Sequence, residues 1–310
     1  MTVPRPRLDA NRPFSRAQAT AAGTSLRELR TTAYRTIFTG VYISSTVDVT
    51  PALRAAAALV PFAPDAFASH ASAGRILALP LPTLPDEHVS VLRQQDRRSR
   101  PGITCHLARH AELMTVSGTR VTTCLRTFVD LAEILSLVDL VVVGDHLVRT
   151  GKVTLEQLRT YCARARGRAC GLARRAAEYV RERVDSPMET RLRMLVVLAG
   201  LPEPEVNLTI RDVLGEPIRR YDLSWPAGRS IVEYDGRQHI EREEQWERDL
   251  ERREAIDEDE WRMLVVTAKG IYGTPGRTLD RIHRMLLKRG VPGTPRRLSD
   301  DWKPHFPGRT

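Results

Sequence analysis

The sequence predicts a mixed α/β protein, and three observations carry that expectation. Capped helix patterns recur along the chain, short alternating apolar and polar runs lie between them, and one stretch, "RYDLSWPAGRSIVEYDG", reads as a tight β-hairpin. At 310 residues the chain has room for two or three domains.

The first elements lie in residues 1–50. "SRAQATAAG" opens with Ser15 and has Gln18 three residues on, a capping-box spacing, and stops at Gly23. "SLRELRTTAY" repeats the device with Ser25 and Glu28, and "TIFTGVYIS" alternates around a glycine. Helix, turn, helix and small hairpin is the outline of a winged helix. Arg27, Arg30 and Arg35, on or beside the second helix, suit contact with phosphates; they equally suit a basic solvent face.

Residues 51–185 read as a mixed α/β middle region. "PALRAAAALV" and "SHASAGRILAL" have helical character, while "HVSVLRQQ" and "ITCHLAR" look like strands joined by "DRRSRPG". Thr154 and Gln157 open another helix with capping-box spacing, and "GLARRAAEYVRERV" comes after it. His70, His106, His110 and His146 stand apart from any acidic or cysteine partner at ligand spacing, so surface or packed histidines are expected. This region reads as scaffold or partner-binding surface.

A further unit spans 186–290. Ser186 as N-cap, Pro187 at the first helical position and Glu189 three residues after the cap start a helix whose buried stripe is Leu192, Leu195, Val196 and Ala199. The hairpin comes next, then the charged "EREEQWERDLERREAID", the strand "WRMLVVTAKG" and the helix "TLDRIHRMLLKRG", giving the order α-β-β-α-β-α. Residues 291–310, rich in proline, glycine and charge, predict a flexible tail.

Several classes are disfavoured. The N-terminus has no apolar core of a secretory signal, and the longest apolar run, "LSLVDLVVVG", is interrupted by Asp139 and too short to span a bilayer, so a soluble cytoplasmic protein with no membrane partner is expected. Four cysteines without a CxxC pair argue against a zinc site and a disulfide framework. The net charge of +10 favours a polyanionic partner, although arginine-rich solvated surface accounts for it as well.

The hairpin carries the candidate chemistry. A turn centred on Ala227-Gly228, whether a two-residue loop or the four residues Pro226–Arg229, puts Asp222 across from Glu233 and Arg220 across from Asp235, with Tyr221, Leu223, Trp225, Val232 and Tyr234 on the opposite, core-facing side. Directly opposed side chains have Cβ atoms about 4.5–5.5 Å apart, so two ionised carboxylates there repel unless one is protonated or a cation is shared. Oxygen ligands of this kind suit Mg²⁺ or Mn²⁺. In the structural alternative, Arg220 neutralises Asp235 and a distant arginine compensates Asp222.

Through "SPMETRLRMLVVLAGLPEP", "YDLSWP", "VEYDGRQH", the charged segment and "WRMLVVT", residues 186–289 resemble the actinobacterial family of very-short-patch-repair-type endonuclease domains in the PD-(D/E)XK superfamily. The resemblance implies a restriction-endonuclease-like fold, Asp222 and Glu233 as metal-binding acids, Glu189 as an extra acid from the first helix, and Mg²⁺ or Mn²⁺ as cofactor. The superfamily motif has lysine two residues after its second acid. Asp235 stands there instead, His239 is the candidate to share proton transfer, and the repair enzymes' zinc-binding cysteines are absent. Residues 13–44 resemble the N-terminal winged helix of AbiEi-type antitoxins and transcriptional regulators, and the middle region resembles the segment next to that winged helix in those proteins.

Two functions remain open on this basis. One is a DNA endonuclease in which metal activates water while Asp235 or His239 handles the proton. The other is a non-catalytic DNA-binding regulator or antitoxin, with a toxin or other protein partner, that keeps a degenerate nuclease fold.

Overall fold

The computed structural model describes residues 7–110, 112–211, 217–236 and 260–308. The protein is mixed α/β, with three sheets among the described residues. It divides into two compact units, Met1–Leu135 with Thr160–Ala173, and Ser136–Arg159 with Arg174–Thr310.

The first unit begins with β1 (Phe14–Ser15), α1 (Arg16–Ala21), β2 (Tyr34–Phe38) and β3 (Val41–Ser44), the strands ordered β1-β3-β2. The Ser15 and Gln18 capping box forms, and Gly23 ends the helix at φ 93°. The second box also forms, with Ser25 and Glu28 bonding each other's backbone N–H, but it opens one 3₁₀ turn, Glu28–Arg30, rather than a helix. Two β-branched residues, Thr31 and Thr32, come after that turn, and strand pairing starts at Tyr34. A correct cap therefore preceded a segment that the sheet captured. Phe14, Ala19 and Leu29 form the small core beneath.

A second sheet is built from α2 (Pro51–Ala57), β4 (Phe67–Ala68), α3 (His70–Ile76), β5 (Glu87–Val91), β6 (Ile103–Leu107), β7 (Leu113–Val116), β8 (Thr119–Thr122) and α4 (Cys124–Leu131). Its order is β6-β5-β4-β8-β7, with β5 parallel to β6 and antiparallel to β4. Val89 and Val91 of β5 enter a core with Phe38, Phe62 and Ile103. All five residues of β5 are buried, so the polar members of its alternation, His88 and Ser90, lie inside the protein too.

The second unit contains α5 (Leu137–Arg149), and the chain leaves and re-enters it through α6 (Leu155–Arg164) and α7 (Cys170–Tyr179). Then come α8 (Pro187–Leu198), β9 (Glu205–Arg211), β10 (Pro217–Trp225), β11 (Ser230–Asp235), β12 (Arg262–Thr267), α9 (Ala268–Tyr272) and α10 (Pro275–Lys288). The sheet order is β12-β11-β10-β9; β10 is antiparallel to both neighbours and β12 runs parallel to β11. The strand β9 was not anticipated, although Val206, Leu208 and Ile210 alternate with polar residues along it. The charged helix expected after the hairpin falls outside the described residues.

On α8 the expected stripe of Leu192, Leu195, Val196 and Ala199 is fully buried, and Ser186 caps the helix by accepting the Glu189 N–H. Arg193 is buried with the stripe and is held by Asp145 of α5 at 2.8 Å. Residues 291–308 pack onto the unit instead of forming a loose tail. Phe306 is buried, and the Ser299 N–H donates to the Ala199 carbonyl at 2.9 Å.

The turn between β10 and β11 is the four-residue form. Pro226–Gly228 is a 3₁₀ turn, and Arg229 at φ 42° returns the chain so that Trp225 pairs with Ser230. Gly228 is required by a close approach, since a Cβ there would stand 2.3 Å from Val291 Cγ2. Gly228→Ala is expected to cost about 1–3 kcal/mol through overpacking, read as a lower denaturant midpoint with an unchanged slope.

Candidate functional site

The hairpin register is the one expected. Leu223 pairs with Val232 and Ser224 with Ile231, and Tyr221, Trp225 and Val232 are buried. The pleat departs from strict alternation at Asp222. Tyr221 packs with Ile231, Trp261 and Met263, which alternation places on the side of the carboxylates, as well as with Ile210. That side is not an open solvent face, because Ile231 and Ser224 are both fully buried. The paired ladder ends at Leu223, and the Tyr234 N–H donates to Asp222 Oδ2 at 2.8 Å. Asp222 is thus fixed in place by the strand beside it. Asp222, Glu233 and Asp235 are all half-buried.

Glu189 is 9% exposed, and its Oε2 accepts the Asp185 N–H at 3.0 Å and the Asn207 side-chain amide at 3.2 Å. Its carboxylate therefore ties the start of α8 to β9. Arg220, opposite Asp235 by register, forms an ion pair with Asp185. His239 lies outside the described residues. Arg27, Arg30 and Arg35 are exposed, and the Arg35 guanidinium donates to the Ser45 carbonyl.

The second unit also has a cationic groove of about 490 Å³, lined by Arg262 of β12 and by Arg281, Arg284, Lys288 and Arg289 in and after α10. Arg289 is anchored by donating to the Gly228 and Glu260 carbonyls. Val232 pairs with Leu264 and Glu233 with Val265, so alternation puts the groove's Leu264 and the carboxylate of Glu233 on opposite faces.

In the first unit the structure assembles a cluster that sequence spacing concealed. His70 at the start of α3, His88 on β5 and His106 on β6 each present a ring nitrogen, and these atoms lie within 4.8 Å of one another. His88 Nδ1 and His106 Nε2 are 2.9 Å apart, and the rings of His70 and His106 stack at 3.9 Å. His70 and His106 are therefore not isolated. Parallel pairing sets Ser90 beside His106, with His88 two residues before Ser90 on the same side. Burial is the main reason that His88 is pushed down to about 3 and His106 to about 4, leaving both rings neutral at ordinary pH. A cleft of about 250 Å³ borders the cluster, lined also by Arg97, His110, Arg126, Asp130 and Glu133. The legible signal was the alternation of "EHVSV", which sets His88 and Ser90 on one side; the pairing of β5 with β6 was not legible.

No helix among the described residues is long and apolar enough to cross a membrane. No family model matches the sequence. Two uncharacterized proteins of Mycobacterium tuberculosis, one from strain CDC 1551 and one from strain H37Rv, are each 28% identical to it over 199 residues, covering 63% of this chain and 73% of each relative.

Proposed function

We propose that the second unit is a metal-dependent nuclease domain of restriction-endonuclease-like architecture that hydrolyses DNA phosphodiester bonds in the cytoplasm, with the N-terminal sheet serving as a winged-helix-like DNA contact. One observation carries this reading. Asp222 and Glu233 lie half-buried on adjacent strands where the ladder gives way, and one carboxylate oxygen of Asp222 is already oriented by the Tyr234 N–H. A carboxylate held by a backbone donor is favoured in its charged form, the form that binds a cation.

The donor set fits Mg²⁺ or Mn²⁺, which bind through one or two carboxylates and keep several waters. Asp222 and Glu233 would be those ligands; Glu189, whose carboxylate is held by Asp185 and Asn207, does not converge with them on one point. When bound, the metal lowers the pKa of a water and offsets charge on the scissile phosphate. Asp235, at the end of β11, takes the position from which a proton is accepted, with His239 as the second candidate.

A second reading, a DNA-binding regulator or antitoxin with a toxin or other protein partner, is favoured by the Glu189 carboxylate. Its hydrogen bonds to Asp185 and Asn207 serve the fold, as expected of a nuclease fold kept as scaffold.

Both readings need polyanion binding, which the net charge of +10 supports; the cationic groove, on the sheet face opposite the Glu233 carboxylate, supports DNA binding apart from the carboxylates. Duplex DNA affinity is expected to fall steeply with salt, and Arg281→Ala or Arg284→Ala to lower the slope of log K against log salt by about 1 each. Incubating supercoiled plasmid with the protein in Mn²⁺, in Mg²⁺ and in chelator separates the readings. Metal-dependent nicking supports the nuclease, and DNA binding without nicking in either metal supports the regulator.

A further inference from the structure

We propose that His70, His88 and His106 form a binding site for one divalent transition-metal ion of the Zn²⁺ class, separate from the carboxylates of the second unit. Three imidazoles are a recognised donor set for such ions, with the fourth position left to water or a ligand. The cluster joins three elements that meet only in the fold, α3, β5 and β6, and its nitrogens lie within 4.8 Å of one another. Nitrogens sharing a Zn²⁺ are each about 2.0–2.1 Å from it and so stand within about 4 Å of each other; binding requires the stacked His70 and His106 rings to rotate about their side-chain bonds until their in-plane lone pairs converge.

Three further observations point to a ligand. His70 Nδ1 is 2.9 Å from Ser69 Oγ, and the Ser90 hydroxyl donates to that same oxygen at 2.7 Å. A ligating histidine characteristically has its second ring nitrogen fixed in this way, which leaves Nε2 of His70 as the ligand atom. His70 is also held at φ 46°, a left-handed conformation that a non-glycine residue adopts at a cost and that clusters at functional sites. The rings lie beside a cleft whose lining includes Glu133, with Oε2 3.8 Å from His70 Nε2. The cleft supplies an entry path and room for a bound water, and Glu133 a carboxylate beside it.

The site differs in kind from the one proposed for nucleic-acid cleavage. Its donors are imidazole nitrogens, which select Zn²⁺ or Co²⁺ over Mg²⁺, whereas carboxylate oxygens select the reverse. Metal binding by the three histidines is therefore independent of nuclease activity.

The test is titration of the metal-free full-length protein with Co²⁺, monitored by visible absorption, and with Zn²⁺ by calorimetry, with Asp222→Asn as background so that the carboxylate site does not contribute. One equivalent per chain is expected, with the intense visible bands of tetrahedral or five-coordinate Co²⁺ and displacement by Zn²⁺ but not by Mg²⁺. His88→Ala and His106→Ala should each abolish the bands, and His283→Ala should leave them unchanged. Ser69→Ala, a milder change for the case in which the histidine variants do not fold, should weaken binding about 10–100-fold. Absence of a one-equivalent site in the folded parent, or bands that persist in folded His88→Ala and His106→Ala proteins, would overturn the assignment.

Discussion

Asp145→Ala is expected to lower the stability of the second unit by about 3–5 kcal/mol, a melting shift of about 6–20 °C. Asp145 and Arg193 have side chains 2% and 0% exposed, and their charged groups meet at 2.8 Å between α5 and α8. Burial pushes the Asp145 carboxyl up, against the pull of Arg193, the Arg181 N–H and the Thr190 hydroxyl. Removing the aspartate strands a guanidinium whose next acid, Glu203, is 3.9 Å away. The damage comes from the orphaned charge more than from the lost attraction, so Asp145→Leu combined with Arg193→Met should melt much closer to the parent than either single change. A double variant as unstable as Asp145→Ala would show that the packing of the two helices, and not the charge, is what matters.

The second large effect concerns activity. Asp222→Asn is expected to reduce metal-dependent cleavage by at least about a hundredfold, since loss of a ligand should exceed the 10–100-fold that loss of an outer-shell partner costs. Asparagine keeps an oxygen to accept the Tyr234 N–H, so the fold should be retained. Relief of carboxylate repulsion alone would predict that Asp222→Ala is stabilising. The Tyr234 bond changes that sign, and Asp222→Ala should cost about 1–3 kcal/mol by leaving a half-buried N–H unpaired. Thermal melts of the two variants check this directly; an alanine variant more stable than the asparagine one would show that repulsion dominates after all.

These two cases also show what the sequence made legible. Local signals were read correctly where the chemistry is local. The boxes at Ser15 and Thr154, the Ser186 cap and the Pro226–Arg229 turn all form, because cap and turn energies depend on neighbours a few residues away. The box at Ser25 shows the limit, since a good cap cannot hold a helix against strand pairing that begins six residues past Glu28. The Arg193–Asp145 pair and the three-histidine cluster escaped for a different reason. Their members are 48 and up to 36 residues apart, respectively, and only the packing of α8 on α5, or the parallel pairing of β5 with β6 together with the seating of α3 beside β5, brings them together. At the hairpin, alternation gave the register but not the change of pleat at Asp222, where the side chain bonds to the neighbouring strand.

The most direct test of the proposed nuclease is the rate of plasmid nicking in Mn²⁺, measured side by side for the parent and Asp222→Asn at matched folding and matched DNA binding at low salt. The parent is expected to nick the plasmid in Mn²⁺ and to stop when chelator is added, while Asp222→Asn binds the same DNA and leaves it intact. Equal nicking by both proteins, or nicking by the parent that chelator does not affect, would contradict the assignment of Asp222 as a metal-holding carboxylate.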